Sequence, residues 1–212
     1  MSALTQQMAF QRIRRQYSRR KRYPIITQSY LRLEADINAN STLYEFPVLE
    51  SEQSNALAKP TEQRLNINDC FFVEEFAFYI TVPTSLTATD YRLETYPNDT
   101  SLGAANFQQY FNLYTAFMQI SVNNVMILPS YDLAKHYYCP QQQHVAAGAP
   151  FDQLDAKHHG TYYINPNIQF SGSKKNTVQL VLPNSVSTVA EFSRIVLIFR
   201  GALAQNASAF QM

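Results

Sequence analysis

The stretch Cys70–Val82, CFFVEEFAFYITV, restricts the fold more than any other part of the chain. Its density of aromatic and β-branched side chains suits a strand at the centre of a sheet. It falls well short of the ~18 apolar residues that a membrane-spanning helix needs. Two acids, Glu74 and Glu75, interrupt it at the middle, and an uncompensated carboxylate is costly to bury. A β-bulge or a subunit contact would bring them to a surface, or an arginine such as Arg64 or Arg92 would pair with one of them. The remaining reading, a catalytic carboxylate pair, needs two carboxyls flanking a cleft, and nothing else in the sequence asks for it.

Elsewhere the period is two. Leu31, Leu33, Ala35 and Ile37 alternate with Arg32, Glu34 and Asp36 from Tyr30 onward, which predicts a half-buried strand. Further extended segments are expected at 42–49, 63–67, 91–96, 118–122, 125–128, 161–164, 168–171, 177–182 and 194–203. Asn123-Asn124 reads as a tight hairpin turn, and 172–176 as a longer hairpin loop. One helix is predicted over 105–117, where Phe107, Tyr110, Phe111 and Tyr114 share a face. The irregular stretch 129–160, with Pro129, Pro140 and Pro150, has the length of a functional or contact-forming loop. Eight to ten strands around one inserted helix predict a mainly β chain, an antiparallel jelly-roll-like β-sandwich or barrel. The expected layout is a basic arm at 1–28, the β domain at 29–205 and a tail at 206–212.

The formal net charge of +1 conceals a segregation. Residues 1–32 hold eight bases and no acid, whereas the remainder holds nine bases against sixteen acids, a net of −7. Within the arm, Arg12, Arg14, Arg15, Arg19, Arg20, Lys21 and Arg22 form a dense cationic run. Such a run repels itself and stays extended until it meets a polyanion. Its guanidinium groups grip phosphates bidentately, and Tyr17 and Tyr23 offer rings for stacking on bases. Docking on the acidic body of a neighbouring subunit is the competing role, and the two are compatible. Phe10, Ile13 and Tyr17 also lie at helical spacing, so a short docked helix ending before Pro24 fits the same residues. Only 16% of the chain is charged and 13% is aromatic, all of it Phe and Tyr. A surface of that composition suits broad contacts with neighbouring subunits.

No catalytic constellation emerges. The sets His136, Cys139, His144 and His158, His159 lack metal-ligand spacing, and adjacent histidines point to opposite sides of a strand. No phosphate-cradling loop, dinucleotide fingerprint or nucleophile elbow occurs. Neither an enzyme nor a cofactor is expected. Two cysteines, Cys70 and Cys139, make no disulfide framework. No signal peptide is recognisable, and a soluble protein made in a reducing compartment is expected.

Ile164-Asn165-Pro166, Phe170-Ser171-Gly172, Asn176, Leu180-Val181-Leu182-Pro183 and the closing run Arg194–Gly201 follow a basic arm and a β body. In that arrangement the chain resembles single jelly-roll capsid proteins of icosahedral viruses and virion structural proteins of bacteriophages. The resemblance implies a shell or vertex subunit, made in the host cytoplasm and residing in the virion. Its partners would be its own copies and other virion proteins, with genomic nucleic acid met through the arm. A connector, an adhesin or carbohydrate-binding β-sandwich, and a stand-alone nucleic-acid-binding protein are the alternatives.

Overall fold

The fold is described from a computed structural model at residues 24–51, 59–83, 110–137, 160–187 and 192–207, with single positions at 11, 13–15, 17, 85, 87, 89 and 93–95. Eight strands make it mainly β: β1 (Ile25–Asp36), β2 (Leu43–Pro47), β3 (Cys70–Thr81), β4 (Phe117–Val122), β5 (Val125–Asp132), β6 (Thr161–Ser171), β7 (Asn176–Val181) and β8 (Arg194–Gln205). They form two four-stranded sheets, ordered β1-β8-β3-β6 and β2-β7-β4-β5, and every pairing is antiparallel. The first strand pairs with the eighth, the second with the seventh, the third with the sixth and the fourth with the fifth. The chain is thus one long hairpin, bent so that β8 also meets β3 and β7 also meets β4. Its tip is the predicted turn Asn123-Asn124, where both residues take positive φ (53° and 62°). Asparagine tolerates that conformation, and two such residues match the strand twist of a tight hairpin.

The core lies between the sheets. Leu31 and Leu33 of β1, Phe71, Val73, Phe76 and Phe78 of β3, and Ile195, Leu197 and Phe199 of β8 meet Tyr44, Phe46, Met118, Ile120, Val178 and Leu180 from the opposite sheet. Alternation along β7 and β4 leaves every second residue at the surface, as half-buried strands require.

Strand β3 changes phase in its middle. Phe71 and Val73 face the core, and so do Phe76, Phe78 and Ile80, so the inward positions switch from odd to even. The register with both neighbours shifts between Val73 and Glu75. That bulge sets Glu74 and Glu75 together on the outer face, half-buried, and spares the core a charge. The expected bulge is therefore present. Arg64 bonds Glu62 instead, Arg92 lies outside the described residues, and Arg200 is the register neighbour of Glu75.

Several boundaries differ from the sequence expectation. β1 begins at Ile25, inside the span assigned to the arm, because Ile25–Ser29 pair with Gln205–Gly201 although they do not alternate. The predicted helix ends earlier than expected: residues 110–114 are helical and Phe117 already belongs to β4, while 101–109 lie outside the described residues. Tyr110, Leu113 and Tyr114 turn inward, with the Tyr110 hydroxyl 2.7 Å from that of Ser193. Segments 161–164 and 168–171 are one strand, β6, in which the extra residues bulge against β3. Among the described residues of 63–67 and 91–96 the pairing is limited to isolated bridges, from Gln63, Leu65 and Glu94, and 91, 92 and 96 lie outside the description.

The bulge leaves no room opposite it. A β-carbon on Gly201 would collide with the Phe72 carbonyl, a backbone atom that cannot swing aside. Gly201→Ala should therefore destabilise the fold by on the order of 2–3 kcal/mol, read as a lower urea midpoint with an unchanged slope.

Candidate functional site

The outer face of the β1-β8-β3-β6 sheet is apolar at both ends. At one end Cys70, Phe72, Ala202, Ala204 and Ala207 form a buried strip with Ile13 and Tyr17 of the arm. Gln11, Ile13, Arg14, Arg15 and Tyr17 are helical, and the Tyr17 ring meets Phe72 edge-on at 6.4 Å. At the other end Ala77, Tyr79, Val196 and Ile198 pack with Leu93. Between the two covered ends lie Glu74, Glu75, Arg200 and the exposed rings of Tyr30 and Tyr163. Burial, and then the charge of Glu75 beside it, pushes the Glu74 carboxyl up.

This geometry divides the predicted arm residues. Arg14 and Arg15 are exposed on the helical turn, where they can reach a polyanion. Tyr17 is 2% exposed, so its ring serves as an anchor on Phe72 and has no free face for a base. Arg12, Arg19, Arg20, Lys21, Arg22 and Tyr23 lie outside the described residues. The helical spacing of Ile13 and Tyr17 was the legible signal for docking.

Underneath Tyr17, the Cys70 thiol is fully buried, and that burial raises its pKa. Both effects slow thiolate chemistry. Tyr17→Ala should raise the rate at which a disulfide reagent labels Cys70 by roughly tenfold or more, since local opening then exposes the thiol. The assay is run in a Cys139→Ser background at pH 8. An unchanged rate would show that the helical turn does not guard this strip.

A charge network occupies the opposite, β1 side of the same sheet. Arg194, fully buried, reaches Glu34 at 3.3 Å and Asp36 at 3.5 Å, and Arg32 contacts Glu34 at 2.8 Å. Lys59 bonds Asp36 at 2.7 Å, Thr61 bonds Glu34, and Glu62 accepts from the backbone N–H groups of Glu34 and Lys59 and from Arg64. An open cleft of about 210 Å³ runs beside it, lined among others by Glu34, Asp36, Tyr44 and Lys59. Such a volume is below that of typical drug-sized ligand sites, and these groups spend their hydrogen bonds on one another. The network straps residues 59–65 along β1, where Arg32 and Gln63 exchange both backbone hydrogen bonds at 2.9 Å. Only the alternating charges of β1 signal it at the level of sequence.

His136 is the one described histidine. It ends a short 3-10 turn, Leu133–His136, capped by Asp132, whose side chain accepts from the Ala134 N–H. Its ring is fully buried among Phe76, Tyr131 and Tyr162. Nδ1 faces the Gly160 carbonyl, which can only accept, so Nδ1 carries the proton and Nε2 accepts from the Tyr131 hydroxyl at 3.2 Å. Burial drives its pKa down to about 4, and burial likewise holds Tyr131 up at about 12. Cys139, His144, His158 and His159 fall outside the described residues, and among the described residues no three His, Cys, Asp or Glu side chains gather as metal ligands. The histidine here joins the 3-10 turn to the start of β6.

A pH dependence follows. The folded-state pKa of His136 lies below its unfolded value of about 6.5, so the unfolded chain binds the extra proton first. The stability this group contributes is complete above pH 6.5 and falls as pH drops towards 4, by on the order of 3 kcal/mol in all. His136→Gln should flatten the unfolding free energy between pH 6.5 and 4; an equally steep profile in the variant would assign the acid sensitivity elsewhere.

No protein-family model, curated protein or solved structure matches the chain. Among the described residues no helix is long and apolar enough to cross a membrane.

Proposed function

We propose that this chain is a self-assembling structural subunit of a virion, with a jelly-roll body and a basic arm that contacts nucleic acid or neighbouring subunits. The strand order carries the reading. Nested pairing of first with eighth through fourth with fifth is how one long hairpin wraps into two Greek keys. That double-sheet roll is the architecture of viral capsid and lectin domains.

A fold alone does not assign a function, and the charge layout supplies the second support. Eight bases precede Leu33 without an acid, and the rest of the chain is net −7. Arg14 and Arg15 are exposed on a turn that Ile13 and Tyr17 hold against the sheet. An arm of this kind binds a polyanion through counterion release, independently of sequence, while its apolar residues fix where the cations sit. In this reading the protein is made in the host cytoplasm and resides in the virion. Its partners are its own copies, other virion proteins and, through the arm, the genome.

Electron microscopy and sedimentation of the purified full chain test the proposal. The informative comparison changes Arg12, Arg14, Arg15, Arg19, Arg20, Lys21 and Arg22 to Gln, which keeps the Ile13 and Tyr17 anchors. The native chain should form closed or ring-like assemblies and bind nucleic acid with an affinity that falls steeply with salt. The neutralised arm should lose that binding. Monomers under all assembly conditions, with no effect of the arm on either property, would overturn the reading.

A further inference from the structure

One end of the sandwich gathers loops from both sheets. In the first sheet Ile25 pairs with Gln205, and Cys70 with Ala204 and Ser171. In the second, Val122 pairs with Asn176 and Val125. The 172–175 turn joins the last residue of β6 to the first of β7, so these two sheet ends lie side by side. Their loops are bonded to one another. The Asn206 N–H donates to the Asp69 side chain, the Gly172 N–H to the Asp69 carbonyl and the Asn123 N–H to the Lys175 carbonyl, each at 2.8 Å. Gly172 also lies so close to the Asn66 and Ile67 carbonyls that a β-carbon would find no room. Segments 66–69, 123–125 and 172–175 and the end of β8 are thus held as one surface.

Aliphatic side chains crown that surface. Ile25, Ile67, Val125, Met126 and Ile127 are between 39% and 64% exposed and come from three separate segments. Ile127 is skipped in the pairing of β5 with β4, which breaks the alternation and leaves consecutive residues outside. Among the described residues the one large aliphatic exposed elsewhere is Leu43, at the opposite end beside Val181. The exposed tyrosines are also elsewhere, Tyr30 within β1 and Tyr162 and Tyr163 at the start of β6. An exposed apolar cluster marks a contact with protein or membrane, and the segregation favours the second. Protein interfaces draw on aromatic anchors seated in fitted pockets, whereas these are aliphatic groups on projecting loops. The charges agree. Lys174 and Lys175 sit on the same surface, and exposed Arg14 rides the helical turn that docks on Cys70, Ala204 and Ala207. The two acids nearby are engaged: Glu50 accepts from the Asn66 amide at 3.0 Å and Asp69 from Asn206. Membrane-surface attachment grows with inserted apolar area and with attraction of cations to anionic lipid.

We propose that this end of the sandwich is a lipid-contact face: Ile25, Ile67, Val125, Met126 and Ile127 enter the interfacial layer of an anionic bilayer, and Lys174, Lys175 and Arg14 meet its phosphate headgroups. The attachment is peripheral, made by loop tips rather than by a spanning segment. It goes beyond the assembly reading and stands without it, because a single copy carries the whole face.

The chain contains no tryptophan, so a single one introduced at a chosen site reports its surroundings. The full chain is mixed with vesicles of phosphatidylcholine, alone or in equal parts with phosphatidylserine. On the anionic vesicles Met126→Trp emission should shift to the blue and be quenched by brominated acyl chains, whereas Leu43→Trp, at the opposite end, should show neither effect. Changing Ile67, Val125, Met126 and Ile127 together to Ser should lower partitioning by about tenfold or more, with far-UV circular dichroism unaltered, and Leu43→Ser should leave it unchanged. Lys174→Gln with Lys175→Gln should weaken binding about tenfold at low salt and less at high salt. The cationic arm can itself meet an anionic surface, so the contrast between the two ends is the deciding result. Equal quenching at Met126→Trp and Leu43→Trp, undiminished binding by the folded serine variant, or no binding of the native chain to anionic vesicles would overturn the proposal. Loss of self-association in the serine variant, with vesicles ignored by the native chain, would assign the face to a protein contact instead.

Discussion

Strand β3 cannot be both buried on two faces and charged at its centre, and much of this structure resolves that conflict. It pairs with β8 on one side and β6 on the other, its inner face enters the main core, and its outer face is covered at both ends. Two adjacent acids would ordinarily put one carboxylate on each face of a strand. The bulge between Val73 and Glu75 puts both outside. Two consequences follow: the neighbouring strand needs a glycine at Gly201, where backbone approaches backbone, and β6 must bulge to keep pace. Glu74, Gly201 and the break in β6 are one adjustment spread over three strands.

Among the described residues, Ile13 and Tyr17 hold the basic segment against the sheet, and burying them contributes about 1.5–3 kcal/mol for each side chain. The same turn leaves Arg14 and Arg15 exposed while the Cys70 thiol lies buried beneath Tyr17, so one short element joins an apolar contact to a cationic surface.

Local signals were legible in the sequence and non-local ones were not. The alternation of Leu31 to Ile37, the apolar run of β3, the Asn123-Asn124 turn and the 172–176 loop each depend on neighbours in the chain; the first three appear where the pattern placed them, and the loop ends one residue earlier, where Asn176 opens β7. Ile25–Ser29 do not alternate and join β1 because β8 offers a partner there. The helix was drawn too long at its C-terminal end because Ala116 and Phe117 continue an apolar pattern that serves both a helix face and the first residues of β4. The strands expected at 161–164 and 168–171 are continuous, because a proline is tolerated at a bulged edge and β6 runs through Asn165-Pro166. At the candidate sites, Ile13 and Tyr17 were readable from spacing. The Arg194–Glu34–Asp36 network joins residues far apart in the chain, and the burial of His136 depends on Phe76 and Tyr162 from other strands.

The buried charges and the bulged edge strands are complementary solutions to one problem. Full burial of Arg194 and Glu34 is a weak source of stability, since desolvation consumes most of the attraction between them. What the network achieves is positional: it holds the 59–65 strap against β1 and so removes one edge from competition with other chains. At the far side of the facing sheet β5 is interrupted instead, by register shifts between Met126 and Leu128 and between Leu128 and Tyr131 and by Pro129, so its backbone groups do not form one regular row.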